Sequence, residues 1–338
     1  MSAVKFFSSP YPIKETWLSI YSNSDQNLTP FQSYESNVWI FRKFYTKPSR
    51  LSYKRIYVCA EHDACRAILP LCVRPGHKDI LFISAKTSLD FNDIIMDDYD
   101  EELISAIFDA ISKRFPAYSF YLDKLKEDSS LFRYLSKRYT PKPADLCGRI
   151  NFSSYSYEDY YLSLSKHQRQ NLRTAYNKIE KESVTIALDR YVDVPDALYK
   201  KCQRMYEARM LNRGSFKSRF DMLKTRFMNP VNYILRTEPE RTIFVLTLDG
   251  EAAGYIGGFY SKDHSVFYVP RLAGSMEYLR LSPGILLVNE VSKLLISEGT
   301  RCLDLTRGEE AYKFMMGAEK YELFRFDFAY EADKIVSK

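Results

Sequence analysis

At 338 residues, 46% apolar and 15% aromatic, the chain has the material for more than one hydrophobic core. That excludes a disordered protein and makes two domains the natural expectation. A net charge of +6 is too modest to mark a DNA binder, and no zinc-finger or RNA-recognition signature accompanies it. No run of ~18 apolar residues is present to span a membrane. The start, Met1-Ser2-Ala3-Val4-Lys5-Phe6-Phe7, lacks an adequate apolar h-region and a small-residue cleavage site, so a cytoplasmic protein is expected. Cys59, Cys65, Cys72, Cys147, Cys202 and Cys302 form no C-x-x-C pair and read as free core thiols. His62, His77, His167 and His264 lie far apart, so no metal site is expected.

In chain order, Ile56–Ala60 reads as a strand turning near His62-Asp63 into a second strand, Arg66–Leu71. A strand at Ile80–Ser84, a helix around Glu101–Lys113 and a strand at Ser119–Leu122 follow. Thr140-Pro141-Lys142-Pro143 breaks regular structure and marks a linker. The next helix, about Ser165–Glu182, sets Arg169 and Arg173 on one face. They form either a solvated surface or a contact for an anionic substrate. Another, near Pro195–Asn212, carries the core stripe Leu198, Cys202 and Met205.

From Lys200 to Arg226 nine basic residues face only Glu207 and Asp221, either as a solvated face or as an electropositive wall for an anionic ligand. The apolar strand Ile243–Leu246 runs into Asp249-Gly250, a strong hairpin signal. The return strand is Ala252–Tyr260, and Ser265–Val269 is the next. A helix opens at Ser282-Pro283-Gly284, with Leu287, Val291, Leu294 and Leu295 on its core face, and closes at Glu298-Gly299. Cys302–Leu305 is the following strand.

The two halves share one plan, with matching elements offset by roughly 185 residues throughout, so an internal repeat of a mixed α/β unit is the economical explanation. The copies differ in chemistry. At the helix start where the second copy has Arg280 and Ser282-Pro283-Gly284, the first has Asp90, Asp93, Asp97, Asp98, Asp100, Glu101 and Glu102. Those carboxylates suit a helix N-terminus and would repel a pyrophosphate, so a nucleotide cofactor belongs to the second copy. At Ser282-Pro283-Gly284 itself two readings stand open: an ordinary proline-started helix, or an anion site made by free N–H groups and the helix dipole.

The run Ser282-Pro283-Gly284, then Leu305-Thr306-Arg307-Gly308-Glu309-Glu310-Ala311-Tyr312-Lys313 and Gly317, resembles the acetyltransferase domain of the CelD-like (cellulose-biosynthesis-type) GNAT proteins, relatives of the Fem-type peptidoglycan aminoacyltransferases. Thr29-Pro30-Phe31-Gln32-Ser33, Ile68-Leu69-Pro70-Leu71 and Asp90-Phe91-Asn92-Asp93 resemble that family's upstream signatures in order, so the likeness covers nearly the whole chain. It implies tandem GNAT-like domains of α/β class, each a mixed, mostly antiparallel sheet flanked by helices: a degenerate domain over residues 1–143 and an acyltransferase domain over 144–338. The implied reaction is N-acyl transfer from acetyl-CoA or another acyl-CoA to a small-molecule amine such as an amino sugar or envelope precursor. A Fem-type transfer from aminoacyl-tRNA and a non-catalytic scaffold are the alternatives.

The resemblance also implies a site. Backbone at Leu281, Ser282, Pro283, Gly284 and Ile285 would cradle the pyrophosphate, with Arg280 adding charge. Glu310 is the candidate base, Tyr268 the candidate proton donor to the leaving thiolate, and Lys313 a residue holding a phosphate, carboxylate or thioester oxygen. Asp93 and Arg307 are candidate acceptor-side residues. Lys313 in a turn rich in Gly and Glu is expected to keep its charge in water or on an anion. A fragment of residues 151–338 is expected to be soluble but poorly active.

Overall fold

The computed structural model describes residues 3–26, 28–44, 52–85, 87–152, 156–212, 214 and 229–331. Its strands are β1 (Ala3–Phe7), β2 (Lys54–His62), β3 (Cys65–Arg74), β4 (Asp79–Phe82), β5 (Ile95–Met96), β6 (Ser119–Leu125), β7 (Lys142–Asn151), β8 (Ile186–Tyr191), β9 (Arg241–Leu248), β10 (Glu251–Tyr260), β11 (Val266–Gly274), β12 (Cys302–Arg307) and β13 (Glu319–Ala329). The chain divides into two compact units. The first comprises Met1–Asp145, Met228–Ile234 and Glu322–Lys338, and the second Leu146–Phe227 and Leu235–Tyr321.

In the first unit the strand order is β1-β2-β3-β4-β6-β13, with β5 beside β3. Only β4 and β6 run parallel along this path. The helix Glu101–Arg114 makes that parallel crossover, and the Asp100 carboxylate caps it by accepting the Leu103 N–H at 2.9 Å. Its apolar face, Leu103, Ile104, Ile107, Phe108 and Ile111, packs on Val58, Leu69, Leu71 and Phe120. In the second unit the order is β7-β12-β11-β10-β9-β8, and only β11 and β12 are parallel. The helix Pro283–Ser297 makes the crossover.

Both units therefore repeat one mixed, mostly antiparallel plan, and the starts of matching elements (Lys54 and Arg241, Cys65 and Glu251, Asp79 and Val266, Ser119 and Cys302) keep the offset of ~185 residues. Asp249 and Gly250 take φ of 50° and 79°, as the two-residue hairpin between β9 and β10 requires. Period-two alternation assigns the faces of the second sheet. Phe244, Leu246, Ile256, Phe267 and Leu272 join Leu287, Val291 and Leu295 of the crossover helix. Ile243, Val245, Tyr255 and Ala273 join Tyr199, Cys202 and Met205 of the helix Asp196–Asn212.

Two expectations are corrected. The stretch from Thr140 to Pro143 is no linker: β7 begins at Lys142 and carries Pro143 near its start, where a missing N–H is tolerated. The strand read as ending at Val269 continues through Pro270 to Gly274. Val269 and Pro270 together face Gly258 where the register with β10 shifts, so a bulge absorbs the proline. Of the basic run, Arg213, Lys217, Arg219, Lys224 and Arg226 lie outside the described residues.

Candidate active site

The second unit's parallel pair opens. Val266, Phe267 and Tyr268 pair with Cys302, Leu303 and Asp304, and there the pairing of β11 and β12 ends although both strands continue. Past that point the link is a side chain: the Thr306 hydroxyl donates to the Val269 carbonyl at 3.2 Å. Thr306 is held at φ 53°, its N–H bonded to the Asp304 carboxylate at 2.8 Å.

At the far end of β11 sits the start of the crossover helix. A Cβ on Gly274 would lie 3.2 Å from the Pro283 ring and 3.4 Å from the Gly284 nitrogen, so glycine there lets the helix start come close to the strand. Ser282 occupies the N-cap in a left-handed conformation (φ 56°) and makes no side-chain capping bond, unlike an ordinary serine cap. Its N–H donates to Leu279 O at 3.0 Å, and Ser282 O receives the Ile285 N–H at 3.0 Å. The Gly284 N–H has no acceptor among the described residues, and a Cβ on Gly284 would meet nothing within 4 Å. Leu281 is buried, and Arg280 is 68% exposed and ion-paired with Glu182.

Glu310 and Lys313 meet beside the opened strands. The Lys313 ammonium is 2% exposed and donates to the carbonyls of Thr306 (3.1 Å) and Arg307 (2.8 Å), with the Glu310 carboxylate 3.2 Å away. Arg209 stands 3.8 Å from the other Glu310 oxygen and donates to the Leu272 carbonyl of β11. A side chain on Gly308, which has φ 123°, would overlap the Glu310 carboxylate. Burial pushes Glu310 up, but the Lys313 charge and hydrogen bond, helped by Arg209, leave it below its usual 4.5.

These contacts bear on two expectations. Lys313 keeps its charge on the Glu310 anion rather than in water, and ties the end of β12 to the turn that follows. Glu310, the candidate base, is ion-paired here and held below its ordinary carboxylate value. Tyr268 is buried in β11 at the last paired position, and the Arg307 carbonyl belongs to the Lys313 bonds. Arg169 donates to the Leu162 carbonyl at 2.8 Å, closing its own helix entry.

Asp93 lies in the first unit, among different neighbours. Its carboxylate accepts the N–H groups of Ser130, Leu131 and Ile94, each at 2.9 Å, and so anchors the helix Ser130–Leu135. Burial pushes its pKa up to about 7 against those three bonds. The same region joins two of the three upstream signatures: the Gln32 amide donates to the Phe91 carbonyl at 2.9 Å, and a cavity of about 320 Å³ is lined by Thr29, Gln32, Phe91, Asn92 and Asp93. Asp93→Ala is expected to lower stability by about 1 kcal/mol, as for a lost cap, in a chemical-denaturation curve. An unchanged midpoint would remove the anchoring role.

Residues 166–314 match the profile of the acetyltransferase (GNAT) domain. The chain thus carries a GNAT-type acetyltransferase domain and is an enzyme, an N-acyltransferase. In fold it is similar to FemX, at 11% identity over 96% of this chain and 97% of that one, with TM-score 0.60. It is also similar to L-PGS from Bacillus licheniformis, at 11% identity over 94% and 92%, with TM-score 0.54. A third neighbour is the C-terminal (DUF2156) domain of a protein assigned as lysylphosphatidylglycerol synthetase from Agrobacterium fabrum, at 11% identity over 94% and 92%, with TM-score 0.58. No curated protein matches the sequence. Among the described residues no group of three or more His, Cys, Asp or Glu could hold a metal, and no helix is long and apolar enough to cross a membrane.

Proposed function

We propose that the second unit transfers an acyl group, acetyl first, from acyl-CoA to a small amine, and that the enzyme belongs to the CelD-like branch of GNAT proteins working on cell-envelope or polysaccharide precursors in the cytoplasm. The observation that carries this reading is the Gly284 amide, without an acceptor among the described residues and with open space where a side chain would stand, at the positive end of the helix Pro283–Ser297. The donor set fits a pyrophosphate: an N–H, the helix dipole, and Arg280 near enough in sequence to leave Glu182 for a phosphate. Bound acyl-CoA supplies a thioester carbonyl for the amine to attack.

The chain's residues divide the remaining work. Leu281 to Ile285 hold the cofactor's phosphates. The parted edges of β11 and β12 admit the acyl arm, with Tyr268 at the fork as donor to the leaving thiolate. Lys313 and Glu310 brace that fork and fix the course of Arg307. The six cysteines are free, as suits a reducing compartment.

Gly284→Asp tests the reading. The open space means the variant should fold normally, while a carboxylate at the phosphate position should weaken CoA binding by on the order of 2–3 kcal/mol. Isothermal titration with acetyl-CoA, CoA and tRNA on wild type and variant makes the comparison. Unchanged CoA affinity in the folded variant would refute the assignment of the helix start. Tight binding of tRNA in place of CoA would move the protein to Fem-type aminoacyl transfer.

A further inference from the structure

Arg271 lies in the middle of β11, three residues past the point where β11 and β12 part and three before the glycine that touches the crossover helix. It is 6% exposed. Its Nη1 donates to the Pro270 carbonyl at 2.9 Å, and its guanidinium lies 4.6 Å from the ring centre of Tyr206. Its Nε and Nη2 are buried and have no hydrogen-bond partner among the described residues. The groups that sense its charge include the phenols of Tyr199 and Tyr255, and neither supplies an anion.

This arrangement is costly in the free protein. A guanidinium cannot shed its proton to escape burial. Among the described residues no carboxylate forms an ion pair with it, and an unpaired buried charge costs more than one aromatic contact returns. The open edge is also a specific one: Nε and Nη2 form the fork that grips a carboxylate side-on. The same molecule shows this twice. Arg66 holds Asp97 through Nε at 2.8 Å and Nη2 at 2.9 Å, and Arg74 holds Asp79 through the same two nitrogens. Arg271 carries that fork with no carboxylate on it among the described residues.

We propose that Arg271 is a specificity-determining residue that takes a carboxylate of the acceptor, so that the amine acylated here belongs to a carboxylate-bearing molecule such as an amino acid. This rests on the reading of the second unit as the transferase. Its place in the strand selects the acceptor over the cofactor. Three residues of strand separate Arg271 from Gly274, about 10 Å, so phosphates held at the helix start fall beyond its reach. Between that start and the fork at Tyr268, an oxyanion on Arg271 would steer the acceptor amine toward the parted strands. The signal was in the sequence: Arg271 is the charged residue in the otherwise apolar run from Val266 to Ala273.

The test uses the full chain as wild type, Arg271→Met and Arg271→Lys. Melting curves are recorded alone and with L-alanine, L-glutamate, ethylamine or inorganic phosphate. Acetyl-CoA binding is measured by calorimetry, and acetyl transfer is compared between L-alanine and ethylamine. Removing an uncompensated buried cation should leave Arg271→Met melting no lower than wild type. L-alanine or L-glutamate should raise the melting temperature of wild type and not of Arg271→Met, with Arg271→Lys between. Acetyl-CoA affinity should stay within twofold, while KM for the carboxylate-bearing amine rises at least tenfold and that for ethylamine does not.

The proposal falls if the carboxylates shift wild type and Arg271→Met alike or shift neither. It falls also if phosphate or acetyl-CoA binding is what the variant loses, which would make Arg271 a cofactor contact. A variant that melts well below wild type with its ligand response intact would make Arg271 a structural arginine and sink the proposal too. Wild type that fails to bind acetyl-CoA would refute the transferase reading, and the carboxylate melts would still decide Arg271.

Discussion

Lys313→Ala is expected to lose about 3 kcal/mol or more of stability, a large fraction of what holds a folded domain together. The ammonium is 2% exposed and holds the Thr306 and Arg307 carbonyls together with the Glu310 carboxylate. Truncation leaves two carbonyls and a half-buried anion without their cation, and Arg209, at 3.8 Å, is too distant to replace it. Lys313→Met keeps the packing of the stem and isolates the charge, so it should recover only a minor part of the loss.

The pH dependence has a fixed sign. Burial raises Glu310, but Lys313 together with a backbone hydrogen bond and Arg209 holds it below its usual 4.5 in the folded state. Its contribution is therefore complete above the unfolded value and is lost as pH falls through the folded one. The gap in stability between wild type and Lys313→Ala should be widest at neutral pH and shrink below about pH 4. Urea melts at pH 7 and pH 3.5 measure both. A variant within 0.5 kcal/mol of wild type at pH 7, as for an ordinary surface change, would return Lys313 to a ligand-binding role.

That result separates what periodicity reveals from what it hides. The crossover helices and their flanking strands were legible, because Leu287, Val291 and Leu295 recur at helical spacing and the repeat of ~185 residues doubles every observation. The Asp249-Gly250 turn was legible because few dipeptides accept two positive φ values. The site was less so. Lys313 reads as a ligand-holding lysine, since nothing in a Gly- and Glu-rich turn announces that Thr306 at φ 53° and Gly308 at φ 123° will fold two carbonyls back over it. Asp93 reads as a substrate carboxylate, because its three donors come from the chain itself and two of them from a helix that starts 37 residues later. The strand past Pro270 was missed because a proline usually ends one; the bulge opposite Gly258 is a tertiary solution.

Residues 151–338 expressed alone are expected to be insoluble or without a cooperative melt, against the soluble fragment that the repeat alone suggests. Each sheet takes its last strand from the other half of the sequence. In the second unit β12 is covered by β7, with Leu303 opposite Ile150, Asp304 opposite Arg149 and Arg307 opposite Cys147. A fragment starting at residue 151 lacks all three partners and opens the edge of β12, a template for pairing with another copy. At its other end the fragment keeps β13 but not β6, to which Phe324, Phe326 and Phe328 are paired opposite Leu125, Leu122 and Phe120. Phe326 and Phe328 belong to the first unit's core, and exposing each costs about 2–3 kcal/mol. The fragment therefore carries an open edge and an apolar strand with no core to enter. Expression of residues 151–338 beside the full chain, with solubility and a thermal melt as readouts, compares them. A soluble fragment with a sharp transition would show that the exchanged strands decorate two independent folds. Aggregation of the fragment, relieved by co-expression with residues 1–150, would show that the two halves build each other's sheets.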